Sequence, residues 1–237
     1  MQPDRFDTTG SRSSVSYDAG LREHFGRVYN TMALGLVVTG LVAWFTSQSP
    51  ELLQQVHGTW LGIAIALAPL GIIFFGLTPQ RVMTMNMATV NGLYYGLTAL
   101  IGLSMSYVFV AYTGESVARV FFITAATFGA MSLWGYTTKT DLSGMRSFLM
   151  MGIIGLVLAM VVNMFLGSSL MGMVLSAGGV LLFTLMIAFD TQMIKSMYHP
   201  ANGADVNSRM AVMAALSLYL DVINLFQFLL AFLGQRE

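Results

Sequence analysis

Two aspartates stand inside apolar segments of this sequence, where charged side chains are uncommon. Asp221 lies in the middle of the stretch from Ala215 to Gly234, which is long and apolar enough to cross a bilayer. Asp190 lies near the end of the preceding apolar segment, within FDTQMIK. A carboxylate ionised at the centre of a hydrocarbon layer is costly, so such residues face protein or water and commonly mark a pathway or a switch. Both aspartates are therefore candidate functional residues.

The chemistry of the two aspartates depends on whether they meet. Their segments are consecutive and joined by a short polar connection, so they should form antiparallel neighbours. Two carboxyl groups at hydrogen-bonding distance in a poorly hydrated site cannot both ionise at low cost, and they share one proton instead. The shared proton ties the two helices together, whereas its loss leaves like charges that repel or demand a cation. We predict that Asp190 and Asp221 form such a pH-sensing pair.

Calcium is the cation that suits this pair best, because it accepts carboxylate and amide oxygens in loose geometry. Asn224, one turn from Asp221, could supply an amide oxygen. We predict transient calcium binding by Asp190 and Asp221 and no tightly bound cofactor; sodium and protons remain alternatives. A purely structural role, in which each aspartate only fixes helix register by hydrogen bonding, is the competing interpretation.

A polar stripe surrounds Asp221 on its helix. Ser217, Asp221 and Asn224 fall on one side at spacings of four and three residues, and Gln227 lies at the margin. The rest of the helix is mainly apolar, so this stripe should face the protein and the helix should lie in the core of a bundle. Arg81 is a candidate cation for latching the aspartate pair, although a topology residue that snorkels to the membrane surface is the favoured alternative.

Composition places the chain among integral membrane proteins. Of its 237 residues 56% are hydrophobic and 9% charged, and the mean hydropathy is +0.71, whereas soluble domains carry about 25% charged residues. The formal charge is zero, which argues against nucleic-acid binding. Cysteine is absent, so thiolate catalysis and disulfides are excluded. We find no nucleophile triad, phosphate-binding loop or HExxH motif, and we predict that the protein is not an enzyme.

Hydropathy predicts an all-α fold with seven transmembrane helices and loops between them. Residues 1–20 should form a flexible polar tail, and residues 21–237 a single transmembrane domain. The predicted spans are residues 29–45, 60–77, 83–112, 117–136, 148–166, 170–195 and 209–234.

Seven spans place the termini on opposite sides of the membrane, and the distribution of basic residues selects the orientation. With the N-terminus in the cytoplasm, nine of the eleven Lys and Arg residues lie on that side. They are Arg5, Arg12, Arg22, Arg27, Arg81, Lys139, Arg146, Lys195 and Arg209. We therefore predict a cytoplasmic N-terminus and an external C-terminus.

The depths of the two aspartates do not match if the helix ends are level. Asp190 lies about 7.5 Å from Lys195 along a helix, and Asp221 about 18 Å from Arg209. Helix tilt, or a last helix whose first turns from Asp205 to Ser208 project beyond the membrane, would bring the two residues together.

The sequence resembles the transmembrane Bax inhibitor motif family in its bacterial branch. The likeness is most specific in FDTQMIK at 189–195, ALSLYLDVINLF at 215–226 and GYTTKTDLS at 135–143. The resemblance implies six helices wrapped around a central C-terminal helix in the bacterial inner membrane. It also implies a passive, pH-dependent calcium leak governed by an aspartate pair, which corresponds here to Asp190 and Asp221. Some bacterial relatives look like modulators of a membrane-bound protease.

Three functions are compatible with these observations. The preferred hypothesis is a calcium leak channel gated by the aspartate pair, with the lipid bilayer and calcium as its partners. The first alternative is a non-conducting interaction protein that modulates a membrane-bound protease. The second is a proton-coupled transporter for a small solute.

Overall fold

The computed structural model describes residues 7–235, and their side chains from residue 17 onward. The described chain is all-helical and contains no strand. Its α-helices are α1 (Asp7–Ser47), α2 (Pro50–His57), α3 (Trp60–Gly71), α4 (Pro79–Thr84), α5 (Met87–Met105), α6 (Val108–Ala111), α7 (Gly114–Thr137), α8 (Arg146–Leu166), α9 (Ser169–Met197) and α10 (Gly203–Leu233). A π-helical turn, Ile72–Gly76, continues α3, and Pro69 within that helix lacks the N–H that a regular ladder needs.

The predicted membrane-spanning fold is confirmed in its class. In the described residues six helical segments are long and apolar enough to cross a membrane. A seventh span is present if α2 and the helix Trp60–Gly76, which meet at a bend of 71°, count as one. The membrane-facing surface consists of large apolar side chains such as Phe122 and Phe165, which are 69% and 80% exposed. Such exposure suits lipid, which solvates apolar side chains.

The helix bounds differ from the predicted spans in several places. Helix α1 begins at Asp7, so the stretch predicted as a flexible tail is helical from that residue, while residues 1–6 lie outside the described part. Helix α2 occupies a segment predicted as a loop; Ser49 caps it by accepting the Leu52 N–H. The predicted third span is divided among the end of α4, α5 and α6. The break before α5 arises because Asn86 Oδ1 accepts the Thr89 N–H at 2.7 Å and caps a new helix there.

Helix α10 is the most buried span. In the most apolar 18-residue stretch of this span, 50% of the residues are buried. The corresponding fraction in the other five candidate spans is 6% to 33%. It packs mainly against α9, α1, α7 and α5. By contrast, the main neighbour of α8 is α9, and α3 packs mainly on α5 and α2. An arrangement in which all six other spans surround α10 remains a prediction.

Small residues let two helix pairs approach closely near the core. A Cβ atom on Gly135 of α7 would lie 2.9 Å from Ala188 Cα of α9 and closer still to the Ala188 carbonyl oxygen. A Cβ atom on Gly102 of α5 would lie 2.7 Å from the Thr39 carbonyl oxygen of α1. Glycine at these contacts allows the backbones to touch, as is common where membrane helices pack.

A hydrogen-bonded chain connects α10 to α1 and α5. Thr39 Oγ1 donates to the Thr98 carbonyl oxygen at 2.8 Å and lies 2.6 Å from the Tyr219 hydroxyl oxygen. Because the single hydroxyl proton of Thr39 is used by Thr98, the Tyr219 hydroxyl must be the donor in the second bond. Thr39 is 3% exposed and Thr98 and Tyr219 are fully buried, so this chain fixes α10 against both neighbours.

We expect Tyr219→Phe to lower the free energy of unfolding by about 1 kcal/mol, the usual net contribution of a buried hydrogen bond. The change can be measured by reversible unfolding in mixed micelles. Tyr95→Phe is the matched control, since the described residues provide no hydrogen-bond partner for the Tyr95 hydroxyl. Equal destabilisation by both substitutions would contradict this account.

Candidate functional site

The structure brings Asp190 and Asp221 together. Asp190 lies in the last third of α9 and Asp221 in the middle of α10, and the two helices form the most extensive helix pair of the described chain. The Asp190 carboxyl group lies beside the Asp221 carboxyl group and the Ser217 hydroxyl group. Asp221 is 3% exposed, whereas Asp190 is partly buried. The pair therefore lies within the α9–α10 hairpin, and its α10 member is the more deeply buried of the two.

Helix α10 begins before the predicted last span. It begins at Gly203, ahead of the segment from Asp205 to Ser208 that the sequence predicted to project. Its first turns contact the segment Pro200–Asn202, α4 and α1. The extra turns lie before the packed core of α10, which starts at Ala211.

One oxygen of Asp221 has no hydrogen-bond partner among the described residues. This atom, Oδ2, is fully buried. Ionised carboxyl oxygens only accept hydrogen bonds, and buried acceptors in native proteins are almost always satisfied. A proton held between the carboxyl groups of Asp221 and Asp190 would satisfy this oxygen, because one carboxyl then donates to the other.

The polar stripe of α10 forms an accessible edge on an otherwise buried helix. Ser217 and Gln227 are exposed and Asn224 is partly buried, while most neighbouring residues of α10 are buried. The Asn224 amide donates from Nδ2 to the Leu220 carbonyl oxygen at 2.7 Å, which leaves Oδ1 free to accept. Asn224 and Gln227 line a cleft of about 490 Å³ between α8, α9 and α10. Asn163 and Ser176 are further polar residues in its wall.

Arg81 does not reach the aspartates in this structure. Its side chain is exposed, and within the described residues no ion pair joins it to either carboxyl group. The arginine that enters the protein is Arg209, whose side chain is 11% exposed. Arg209 binds Asp205 at 3.0 Å and donates to the carbonyl oxygens of Val82, at 2.7 Å, and Met85. It thus ties α10 to the junction of α4 and α5.

Residues beside Asp190 form contacts that the sequence did not indicate. Thr191 Oγ1 lies 3.1 Å from Ser132 Oγ of α7, which lies 2.5 Å from the Tyr29 hydroxyl of α1. This chain of hydroxyl groups holds α9 against two neighbours next to the pair. Of its members only Ser132 is an isolated polar residue in an apolar run, so the sequence offers no clear signal for this chain.

The loop before α8 is attached to α9 by Gln192. Gln192 Oε1 accepts the Leu142 N–H and Nε2 donates to the Thr140 carbonyl oxygen, both at 2.8 Å. Within this loop Asp141 accepts the Ser143 N–H at 2.9 Å, and this hydrogen bond lowers the pKa of the Asp141 carboxyl group. The bond therefore stabilises the loop above the pKa of the unfolded chain, and the stabilisation is lost as the pH falls through the lower, folded value.

The polar groups on α9 and α10 near the pair are oxygen donors, the kind of ligand that calcium takes. The described residues contain no group of three or more His, Cys, Asp or Glu side chains that could enclose a metal ion. Two carboxyl groups, a hydroxyl group and an amide oxygen are hard oxygen donors of the kind that calcium takes. Six to eight ligands are usual for calcium, so water would complete the shell.

The comparisons with known proteins identify the family. Residues 21–237 match the family model described as inhibitor of apoptosis-promoting Bax1. The chain is 45% identical over 231 residues to protein RP147 of Rickettsia prowazekii, covering 97% of this chain and 96% of that protein. It is 38% identical over 239 residues to the inner membrane protein YbhL of Escherichia coli, covering 99% and 100%. The chain therefore belongs to the Bax inhibitor family of membrane proteins.

Proposed function

We propose that the protein is a passive, pH-sensitive calcium leak channel gated by the Asp190–Asp221 pair. The observation that carries this proposal is the meeting of two carboxyl groups inside a helical hairpin, one of them with a buried oxygen for which the described residues supply no donor. If the two residues only fixed helix register by hydrogen bonding, two acidic side chains would not be needed. An amide side chain would serve in either position.

The state of the gate depends on whether the two carboxyl groups share a proton. With one proton shared, the two carboxyl groups attract each other and hold α9 against α10. When that proton leaves, two negative charges lie a few ångströms apart in a site of low dielectric, where their repulsion amounts to several kcal/mol. Either the helices separate or a cation enters to compensate, and calcium compensates both charges at once.

The polar stripe of α10 provides a route past the pair. Ser217 lies one turn before Asp221, and Asn224 and Gln227 follow it toward the cleft between α8, α9 and α10. Oxygen atoms at one-turn intervals can replace the hydration water of a cation step by step. The cleft has room for water, with a volume of about 490 Å³.

The proposed location is the bacterial inner membrane, with the N-terminus in the cytoplasm. The relative YbhL is named as an inner membrane protein, and the excess of basic residues supports the orientation when the bent pair α2–α3 counts as one span. Calcium would then move between the cytoplasm and the outside, down its gradient.

The experiment is calcium entry into liposomes that contain the purified protein and a trapped calcium dye. The pH is equal on both sides and an ionophore for potassium clamps the voltage. We expect calcium entry that needs neither an energy source nor a second protein and that changes with pH as the pair loses its shared proton. Absence of entry at every pH would overturn the channel and favour a non-conducting partner of a membrane protease. Entry only together with a co-transported solute would favour a transporter.

A further inference from the structure

A small polar pocket lies far from the aspartate pair, at the end of the bundle where α10 begins. Its volume is about 230 Å³, and it lies between the early part of α1 and the start of α10. The lining includes His24, Arg27 and Glu23 of α1, Tyr198 of the connection, and the first turn of α10 from Gly203. The space equals roughly eight water molecules at about 30 Å³ each, so it fits a small ion or head group.

His24 is the first observation that points to a ligand. Its side chain is 3% exposed, it lines the pocket, and Nε2 has no hydrogen-bond partner among the described residues. The ring lies against Tyr198, with 5.6 Å between the ring centres. A buried polar nitrogen is nearly always paired in native proteins, with protein, water or ligand. When Nε2 carries a proton it needs an acceptor, and the described residues provide none.

The start of α10 is the second observation. This helix has 31 residues, and Asn202 before it makes no capping bond with its side chain. The N–H groups of the first turn of a helix have no partner within the helix, and the helix dipole favours negative charge there. Gly203 has a φ of 74°, a conformation that suits glycine and that directs the chain into the helix at the pocket wall.

Arg27 supplies a positive charge and N–H groups that bond no other described residue. Nη1 donates to Ser208 of α10 and Nη2 to Glu23, both at 2.6 Å. A guanidinium group has five N–H donors, so three remain for a ligand. The negative charge of Glu23 repels an anion in the pocket. The charge of Asp205, in the first turn of α10, is paired with Arg209.

We propose that this pocket binds a phosphate group between His24, Arg27 and the first turn of α10. The phosphate comes either from a free phosphate ion or from the head group of an anionic lipid, since α1 enters the membrane beside the pocket. The site is independent of the aspartate pair and of the proposed channel activity.

The first test is calorimetric titration of the full-length protein in micelles with inorganic phosphate. We expect saturable binding of one ion per chain, weakened about tenfold by Arg27→Gln and by His24→Phe, since each substitution removes a hydrogen bond to a charged ligand. Glu23→Gln should strengthen binding. Arg119→Gln is the matched control, because Arg119 makes the same bond to a glutamate four residues earlier, at 2.6 Å, and lies outside the pocket.

The second test separates the two sources of phosphate. The titration is repeated in nanodiscs of zwitterionic lipid with and without phosphatidic acid. Weaker phosphate binding in the presence of phosphatidic acid identifies the lipid head group, and unchanged binding identifies the free ion. The proposal is overturned if the wild-type protein shows no saturable binding, or if Arg119→Gln weakens it as much as Arg27→Gln. If Arg27→Gln does not fold, His24→Phe and Glu23→Gln decide, because they must change affinity in opposite directions.

Discussion

Asp221→Asn is expected to abolish the pH dependence of calcium entry into liposomes and to hold it at the level of the proton-sharing state. The asparagine amide is neutral at every pH and can donate a hydrogen bond to the Asp190 carboxylate, as the shared proton would. The wild-type rate should change about tenfold or more over two pH units if one titrating proton sets the gate. The variant rate should vary less than about twofold over the same interval.

Asp190→Asn should have the same effect for the same reason, since Asp221 then faces a permanent donor. Asp141→Asn is the control: this carboxyl group is exposed, and its hydrogen bond is with Ser143 of its own loop. It should keep the wild-type pH dependence. Retention of that dependence in both paired variants would place the gate elsewhere.

Gly135→Ala is expected to destabilise the protein and to disturb the gate. The new methyl group would meet the backbone of Ala188, two residues before Asp190, and a backbone cannot rotate away as a long side chain can. Overpacking of this kind costs about 1–3 kcal/mol. We expect a lower free energy of unfolding and an altered pH midpoint of calcium entry, because α9 must move away from α7 and carry Asp190 with it.

Gly129→Ala is the matched control on the same helix. No atom lies within 4 Å of a Cβ built at Gly129, so the substitution meets open space. Alanine is the better helix former by about 1 kcal/mol, so the control should be neutral or stabilising. Equal destabilisation by the two substitutions would show that close packing at Gly135 does not matter.

The main features of the fold could be predicted because lipid imposes them on the sequence. A span needs a continuous apolar run, so the last three predicted spans lie within three residues of α8, α9 and the C-terminal end of α10. The subdivision around Asn86 was missed because it depends on a capping bond between Asn86 and Thr89, which hydropathy does not detect. The helix α2 was missed because eight residues with mixed polarity resemble a loop.

The two aspartates of the site could be predicted because charged residues within apolar segments can be recognised in the sequence. Asp190 and Asp221 are conspicuous because acids in apolar runs are costly, and the hairpin places them side by side. Arg81 and Arg209 could not be distinguished, since both are basic residues near a predicted helix end. The difference arises because α10 extends back to Gly203, so Arg209 lies within the helix and reaches the carbonyl oxygens of Val82 and Met85.

The burial of His24 also could not be predicted from the sequence. In the sequence His24 lies among charged residues ahead of the first predicted span. In the structure α1 extends across this stretch and buries the ring against Tyr198. Burial of a polar side chain by a distant segment is a tertiary effect, and the pocket beside it could be found only from the packed helices.

Infrared difference spectroscopy tests most directly whether the two aspartates hold one proton between them. Protein labelled with ¹³C-aspartate is titrated in a bilayer, and the carbonyl band of protonated carboxylic acid is measured against Asp190→Asn and Asp221→Asn. We predict one buried carboxylic proton per chain in the wild type, lost in a step that coincides with the change in calcium entry. Two carboxyl groups that titrate independently, or a pair that carries no proton across the gating range, would contradict the account.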